Sequence, residues 1–422
     1  MTALVMPHER DAHATFPTAM SLPLLTSSSR TDVAVDPRSL PRVELAALYV
    51  HVPFCFHKCH NCDFYSITRQ SPERMRRFVD LTLRELDLWL EAAAQQLRPR
   101  TIFFGGGTPS LLPIDEMARL LGGLRQRLDL SQLDEWTIEV NPATTSAEYL
   151  QMLRASGVNR ISMGAQSFEP DELKMLERHH DPLDVERSVA LARNAGFSRI
   201  NIDLIYAIPG QTLETWQRSL GRALALNLPH YSAYNLTYEP NTPMAVKQRL
   251  GRIETIEESI ELQMLRAARS AMSAAGRAAY EISNYAVPGE ECRHNLCYWT
   301  GASYLGIGPS AASHVEGARF KNRPHLGEWE RAIDRNELPA MDVERLSPQQ
   351  RAGEHVMLGL RLAGGVRDDV FAAKFGRPLR EAFATQIDHL LRLQLVAEVD
   401  GALQLTPAGL PVADGVAAEF LR

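Results

Sequence analysis

The sequence predicts an α/β fold, a partial (β/α)6 TIM-like barrel followed by a small C-terminal winged-helix-like α+β domain. Six strand-like segments alternate with helical segments over the first half of the chain, which is typical of a parallel barrel. Beyond about residue 340 helices come first and a hairpin follows them. With 422 residues, 45% of them apolar, the chain is long enough for one large domain and a smaller one.

Changes in composition divide the chain into four parts. Residues 1–43 lack periodic apolar residues and contain a series of prolines, Pro7, Pro17, Pro23, Pro37 and Pro41. We predict that this extension is disordered. Residues 44–286 are predicted to form the barrel, and residues 287–340 a connecting segment. Residues 341–422 are predicted to form the C-terminal domain, with Ser347 and Pro348 opening a helix and Asp400 and Gly401 turning the hairpin.

The barrel elements follow one another from residue 48. Candidate strands cover residues 48–53, 101–104, 137–140, 160–163, 200–205 and 231–236. The first helix starts at Pro72, with Ser71 as its N-cap. Later helices are expected near residues 115–128, 147–155, 184–195 and 213–226. Because we interpret the strands as continuous apolar segments, we expect both faces of the sheet to be buried.

Side chains suited to chemistry lie at or just after the ends of these strands. They are a cysteine cluster after the first strand, Gly105 to Gly107 after the second, and then Glu139, Gln166 and Asp203. In a parallel barrel the carboxyl ends of the strands meet at one face, where active sites are built. The sequence therefore predicts a single site at that face.

Charge and composition exclude several classes of protein. Lys and Arg total 45 against 51 for Asp and Glu, and a formal charge of -6 argues against nucleic-acid binding. The apolar stretches are shorter than the roughly 20 residues that span a bilayer, so we expect no transmembrane segment. The N-terminus does not resemble a secretory signal, and we expect a cytoplasmic protein.

Three of the five cysteines, Cys55, Cys59 and Cys62, lie within eight residues in the spacing CxxxCxxC. A disulfide framework is not distributed in this way, so the cluster indicates a metal centre. Three thiolates can hold three irons of a 4Fe-4S cluster and leave the fourth iron open to a second ligand. The alternative is a zinc site completed by a nearby histidine, one of His51, His57 and His60.

The chain resembles the radical-SAM superfamily in its cysteine loop and glycine-rich strand end. It resembles the oxygen-independent coproporphyrinogen III oxidase-like family in four stretches, GGGTPSLL, EVNP, GVNRISMGAQSF and NIDLIYAIPGQT. The resemblance implies a 4Fe-4S cluster on the three cysteines and an electron donor. It implies S-adenosylmethionine contacts from Tyr49, Gly106, Gly107, Thr108, Glu139, Gln166, Arg178 and Asp203. Three positions depart from the family pattern: Asn61 replaces an aromatic residue, and Glu177 and Ala207 stand where glycine is common.

Two features indicate the branch of the family. Coproporphyrinogen III dehydrogenases carry a fourth cysteine two residues after the third, and Phe64 stands there in this chain. The later motif HNLCYW resembles the HNxxYW signature of HemW-type haem chaperones. That resemblance implies haem binding by His294 and Tyr298, and transfer of haem to an acceptor protein. Cys297 is a second possible haem ligand.

Alternatives remain open for this later motif and for the function. On residue types alone, His294 and Trp299 fit packing between the barrel and the C-terminal domain. Cys292, His294 and Cys297 also suggest zinc, although a fourth ligand is not evident. The alternative function is an oxygen-independent coproporphyrinogen III dehydrogenase, a radical-SAM enzyme of haem biosynthesis that decarboxylates propionate side chains.

Overall fold

The computed structural model describes residues 45–93, 97–315 and 317–421. The predicted disordered extension, residues 1–43, lies outside the described residues. Six consecutive strands form the parallel part of the sheet, β1 Ala47–Val52, β2 Thr101–Gly106, β3 Glu135–Val140, β4 Arg160–Gln166, β5 Arg199–Tyr206 and β6 His230–Asn235. They lie in chain order and pair in parallel, so the predicted barrel topology is confirmed.

Helices connect and cover these strands on the outer face. They are α1 Pro72–Ala93, α2 Ile114–Arg127, α3 Ala147–Ala155, α4 Pro170–Met175, α5 Pro182–Asn194 and α6 Leu213–Ala225. Helix α1 begins where the sequence predicts, since the Ser71 hydroxyl accepts a hydrogen bond from the Arg74 amide at 3.3 Å. Within the described part of the chain, no helix is long and apolar enough to cross a membrane.

The two faces of the barrel strands differ in chemistry. Outward side chains such as Ile102, Trp136 and Ile161 pack with the helices into one large apolar core. The alternate positions point inward and are mostly polar, as Glu135, Thr137 and Glu139 show along β3. The expectation of continuous apolar strands was therefore wrong, because the strands alternate and the inner face lines a polar barrel interior.

The chain after β6 adds further strands at both edges of the sheet. Two helices follow β6, α7 Pro243–Arg249 and α8 Glu258–Ala274. Two short strands follow, β7 Ala278–Ala279 and β8 Asn284–Ala286. Strand β8 pairs antiparallel with β6, and β7 pairs antiparallel with β8. Helix α9 Arg293–Trp299 carries the HNxxYW motif.

Strands on the other side of β1 were not predicted. They are β9 Tyr304–Ile307, β10 Ala312–Val315, β11 Ala318–Asn322 and β12 Ala340–Arg345, with α10 Leu326–Asp334 before the last. Strand β9 runs parallel to β1, and the others add in antiparallel order. Each has only four to six residues, which leaves little periodicity to detect in the sequence.

The C-terminal region has its own small core around Phe371 and Phe383. Its helices are α11 Pro348–Gly359, α12 Asp368–Phe375, α13 Leu379–Ala382, α14 Ala384–Arg392 and α15 Ala413–Ala418. Its strands are β13 Val366–Arg367, β14 Val396–Val399 and β15 Ala402–Leu405. Asp400 and Gly401 have φ of 49° and 75°, as a two-residue hairpin turn requires. Helices plus this hairpin confirm the predicted winged-helix-like character.

Candidate functional site

The three clustered cysteines lie in the loop that connects β1 to α1. The loop is folded back on itself, because the Cys55 amide donates to the Ile67 carbonyl at 3.0 Å and the Ile67 amide donates to Pro53 at 2.7 Å. Cys55 is buried, and Cys59 and Cys62 are partly exposed. All three are free thiols at the carboxyl end of β1, as the sequence predicts.

The loop offers no converging set of ligands for a single ion. Among the described residues, no group of three or more His, Cys, Asp and Glu side chains is placed to hold one metal ion. His51, one candidate fourth ligand for zinc, already bonds to the Tyr65 carbonyl at 2.9 Å and to the Tyr49 hydroxyl at 3.2 Å. The donor set fits a cluster better, because a cubane takes its thiolates on separate irons.

The protein environment controls the charge of these thiols. Burial raises the pKa of Cys55, and it raises the pKa of Cys62 to about 11. The Thr108 hydroxyl, 3.7 Å from the Cys55 sulfur, and the nearby Arg178 guanidinium act in the opposite sense on the pKa of Cys55. Arg178 Nη1 also lies 3.5 Å from the Cys59 sulfur. A bound metal would favour the thiolate forms of Cys55 and Cys62, and its binding would release protons.

The glycine-rich end of β2 lies directly against the cysteine loop. The Gly107 amide donates to the Val52 carbonyl at 2.8 Å, and the Thr108 amide donates to the Phe54 carbonyl at 2.6 Å. A Cβ atom at Gly107 would lie 2.7 Å from both carbonyl oxygens, and one at Gly106 would overlap the ring of His51. Glycine is required at both positions because the close packing leaves no space for a side chain.

Two partly buried carboxyls, Glu139 and Asp203, face the barrel interior next to this glycine turn. Burial, together with the nearby Asp203, raises the pKa of Glu139 to about 8, and burial also raises the pKa of Asp203. Asp203 accepts hydrogen bonds from Asn201 at 2.8 Å and from Ser162 at 3.3 Å. Carboxyls whose pKa is raised in this way are suited to bind a ligand that carries a positive charge or hydroxyl groups that donate hydrogen bonds.

Arg178 links the carboxyl end of β4 to the cysteine loop. Its Nη2 donates to the Gly164 carbonyl at 2.8 Å, and its buried Nε has no hydrogen-bond partner. Gln166 lies beside it at φ 64°, where β4 bulges against β5. A guanidinium with a spare N–H suits a carboxylate ligand, so these residues fit the methionyl end of S-adenosylmethionine.

Glu177 and Ala207, two of the departures from the family pattern, share a backbone property. They have φ of 54° and 62°, a left-handed conformation that favours glycine. The carboxylate of Glu177 contacts His57 Nε2 at 2.7 Å and His60 Nε2 at 2.5 Å. Although partial burial opposes them, these histidines lower the pKa of Glu177.

The HNxxYW helix α9 lies at the opposite, amino end of the barrel strands. His294 is 1% exposed, and its Nδ1 lies 2.9 Å from the hydroxyl of Thr101, the first residue of β2. Its Nε2 lies 2.8 Å from the Tyr298 hydroxyl, and burial lowers the pKa of His294 to about 3. Both ring nitrogens of His294 are therefore occupied and the ring is neutral.

Glu135 anchors the first turn of α9, a role the sequence analysis did not assign. Its carboxylate accepts hydrogen bonds from the amides of Arg293 and His294 at 3.1 and 3.0 Å. It also lies 3.8 Å from the buried guanidinium of Arg160. The polar alternation of β3 places Glu135 on the same face as Glu139, which is the signal that points to it.

Trp299, at the end of α9, packs toward the C-terminal region. The Arg361 guanidinium lies 4.6 Å from the centre of its indole. The packing interpretation of the motif therefore holds for Trp299 in this structure. The His294 ring instead lies against the ring of Phe103 at a tilt of 30°, with ring centroids 5.1 Å apart.

Comparison with known proteins agrees with this fold. The family model of the Radical SAM superfamily matches residues 49–223, and that of the HemN C-terminal domain matches residues 346–412. The solved structure of coproporphyrinogen III oxidase (HemN) from Escherichia coli has a TM-score of 0.78 at 23% identity, covering 91% of this chain and 92% of that one. The fold and the cysteine loop define a radical-SAM protein.

Relatives by sequence identify the family within that class. Heme chaperone HemW from Bacillus subtilis (strain 168) is 35% identical over 380 residues, which cover 89% of this chain and 99% of the relative. Heme chaperone HemW from Escherichia coli (strain K12) is 40% identical over 274 residues, covering 64% and 70%. The chain belongs to the HemW family, so the predicted resemblance is confirmed. Radical-SAM membership implies a 4Fe-4S cluster and S-adenosylmethionine.

Proposed function

We propose that this protein is a haem chaperone that binds haem and passes it to an acceptor protein. The observation that carries the proposal is the 35% identity to a relative named heme chaperone HemW over 99% of that relative's length. The branch-marking residues agree with it, since Phe64 replaces the fourth cysteine of the dehydrogenases and α9 carries HNxxYW. Clustered free thiols suit the reducing cytoplasm, where we place the protein.

Cys55, Cys59 and Cys62 are the proposed ligands of the 4Fe-4S cluster. S-adenosylmethionine binds beside them, against a surface made by Tyr49, Gly106, Gly107, Thr108, Glu139, Gln166, Arg178 and Asp203. Arg178 orients the methionyl carboxylate, and Glu139 and Asp203 accept hydrogen bonds from the ammonium and ribose hydroxyls. With an electron donor as partner, a cluster held by these cysteines would supply one-electron reduction of a sulfonium.

His294 and Tyr298 are the proposed haem contacts, with Cys297 as a second candidate ligand. Support comes from the residue types, because a neutral imidazole is a ligand for haem iron. Since both nitrogens of His294 bond to Thr101 and Tyr298, ligation requires one of these bonds to break. Haem uptake is therefore expected to be coupled to a displacement of α9.

The test is a haem titration of the anaerobically reconstituted protein by absorbance, with coproporphyrinogen III turnover assayed in parallel. We expect stoichiometric haem uptake without turnover, and loss of uptake in His294→Ala. His314→Ala is the control, because His314 is also largely buried but lies in β10, outside the motif. Turnover without haem uptake would instead identify a coproporphyrinogen III dehydrogenase.

A further inference from the structure

Three consecutive residues after α4 hold the cysteine loop from one side. The Leu176 carbonyl accepts from the His60 amide at 3.4 Å, and Arg178 Nη1 reaches the Cys59 sulfur at 3.5 Å. Between them, Glu177 contacts the side chains of both His57 and His60. These residues are more than 115 positions from the loop in sequence, so the contact is tertiary.

The hydrogen-bond pattern fixes the direction of the contact with His60. Lys247 Nζ lies 3.0 Å from His60 Nδ1, and because a lysine ammonium only donates, Nδ1 must accept. The proton of the neutral ring is then on Nε2, which donates to Glu177. Each carboxylate oxygen of Glu177 thus accepts from one histidine of the loop.

The backbone of Glu177 has a strained conformation where its side chain makes this contact. At φ 54° a residue with a Cβ atom costs of order 1 kcal/mol relative to glycine. The Glu177 amide still closes the turn onto the Lys174 carbonyl at 3.1 Å. Glycine would satisfy the same turn without strain. What Glu177 adds at this position is its carboxylate.

We propose that Glu177 is a positioning residue that fastens the cysteine loop, through His57 and His60, in the geometry that retains the cluster. Its carboxylate oxygens contact the imidazoles of His57 and His60, which lie between the cysteines of the loop. It acts by fixing the segment between Cys55 and Cys62 against the turn that also carries Arg178. The proposal rests on the proposed cluster site and is independent of haem transfer.

The experiment compares Glu177→Gly with the wild type in two states. In the apoprotein, hydrogen exchange of the amides of residues 57–62 is followed by mass spectrometry. In the reconstituted protein, the rate of iron release to a chelator is followed by absorbance. Because two partly exposed hydrogen bonds to a charged group are lost, we expect both rates to rise about tenfold.

Two variants separate the contact from the backbone strain. Asp400→Gly removes a side chain at φ 49° in the distant hairpin, and we expect neither rate to change. Glu177→Gln keeps one acceptor oxygen, and we expect it to recover part of the difference. The midpoint temperature of thermal unfolding of the apoprotein should not fall in Glu177→Gly, because glycine relieves the backbone strain at this position.

Rates within twofold of the wild type in Glu177→Gly, with the wild type binding its cluster, would overturn the proposal. A tenfold rise that Glu177→Gln reverses in part would support it. Failure of the wild type to assemble a cluster would contradict the proposed cluster site, whereas unchanged amide exchange in the apoprotein would contradict the role of Glu177 itself.

Discussion

Strand β3 carries two carboxyls on the same face, four residues apart, in opposite situations, one buried and one partly buried. Glu135, at the amino end, accepts from two backbone amides of α9 and lies near the Arg160 guanidinium. Glu139, near the carboxyl end, has its pKa raised to about 8 by burial and by Asp203. A carboxylate that accepts from helix amides beside a guanidinium thus builds the fold at one end of the barrel. A carboxyl whose pKa is raised, with a hydrogen bond to the Gly106 backbone, is suited to a ligand at the other end.

The largest expected effect tests which end of the barrel holds iron. Cys55→Ala, Cys59→Ala or Cys62→Ala should reduce iron content and the brown cluster absorbance to background, because each removes one thiolate ligand. Cys292→Ala and Cys297→Ala, at the amino end, should leave both unchanged. Iron and absorbance are measured on anaerobically reconstituted protein. Retained iron in a loop variant would contradict the assignment of the cluster to the carboxyl end.

The second prediction contrasts the two glutamates of β3 directly. Glu135→Ala leaves Arg160 buried without its carboxylate and the first turn of α9 without an acceptor, so the free energy of unfolding should fall by about 3–5 kcal/mol. At or below pH 4.5, where the Glu139 carboxyl is protonated, Glu139→Gln should leave stability near that of the wild type, and it should weaken S-adenosylmethionine binding. Denaturant unfolding and equilibrium binding measure the two quantities. Equal losses of stability in both variants would remove the distinction between the two ends.

The sequence predicts the site residues at the carboxyl end of the barrel better than the contacts at the amino end. The strand-end residues could be found because parallel strands bring their carboxyl ends together whatever the loops do. The contact of Thr101 with His294 spans 193 residues, and that of Glu177 with His57 spans 120. No local pattern specifies such pairs, so neither the enclosure of the motif histidine nor the fastening of the loop could be predicted.

The missed strands have a related cause. Strands β9 to β12 are short and gain their stability by adding to an existing sheet edge, which propensity over a few residues does not reveal. The polar inner face of the barrel was visible, since Arg160, Ser162, Gly164 and Gln166 alternate with apolar residues along β4. The polar face was not predicted because buried parallel strands are expected to be apolar throughout.

The third prediction concerns pH. The pKa of Glu139 rises from its ordinary value of 4.5 to about 8 on folding, so the folded state binds the proton more tightly. Its contribution to stability is complete below pH 4.5 and is lost as the pH rises through 8. We expect the ligand-free protein to lose about 1 kcal/mol per pH unit within that window, after allowance for screening. Denaturant unfolding across this range measures it, and Glu139→Gln should remove that part of the slope.

The smallest expected effect concerns the enclosed histidine at the amino end. In Thr101→Val the hydroxyl that bonds His294 Nδ1 is replaced by a methyl group of similar size. The enclosed state then loses about 1 kcal/mol, because a buried ring nitrogen is left without a partner.

If haem ligation by His294 requires the ring to leave this position, as proposed, weakening the enclosed state raises the apparent haem affinity about fivefold. Tyr298→Phe removes the partner of the other nitrogen and should act in the same direction, while Thr137→Val, at an inward position of β3, should have no effect. Haem titration by absorbance compares the three variants. An unchanged affinity in both Thr101→Val and Tyr298→Phe would show that His294 serves packing at the amino end, and that haem binds elsewhere on the molecule.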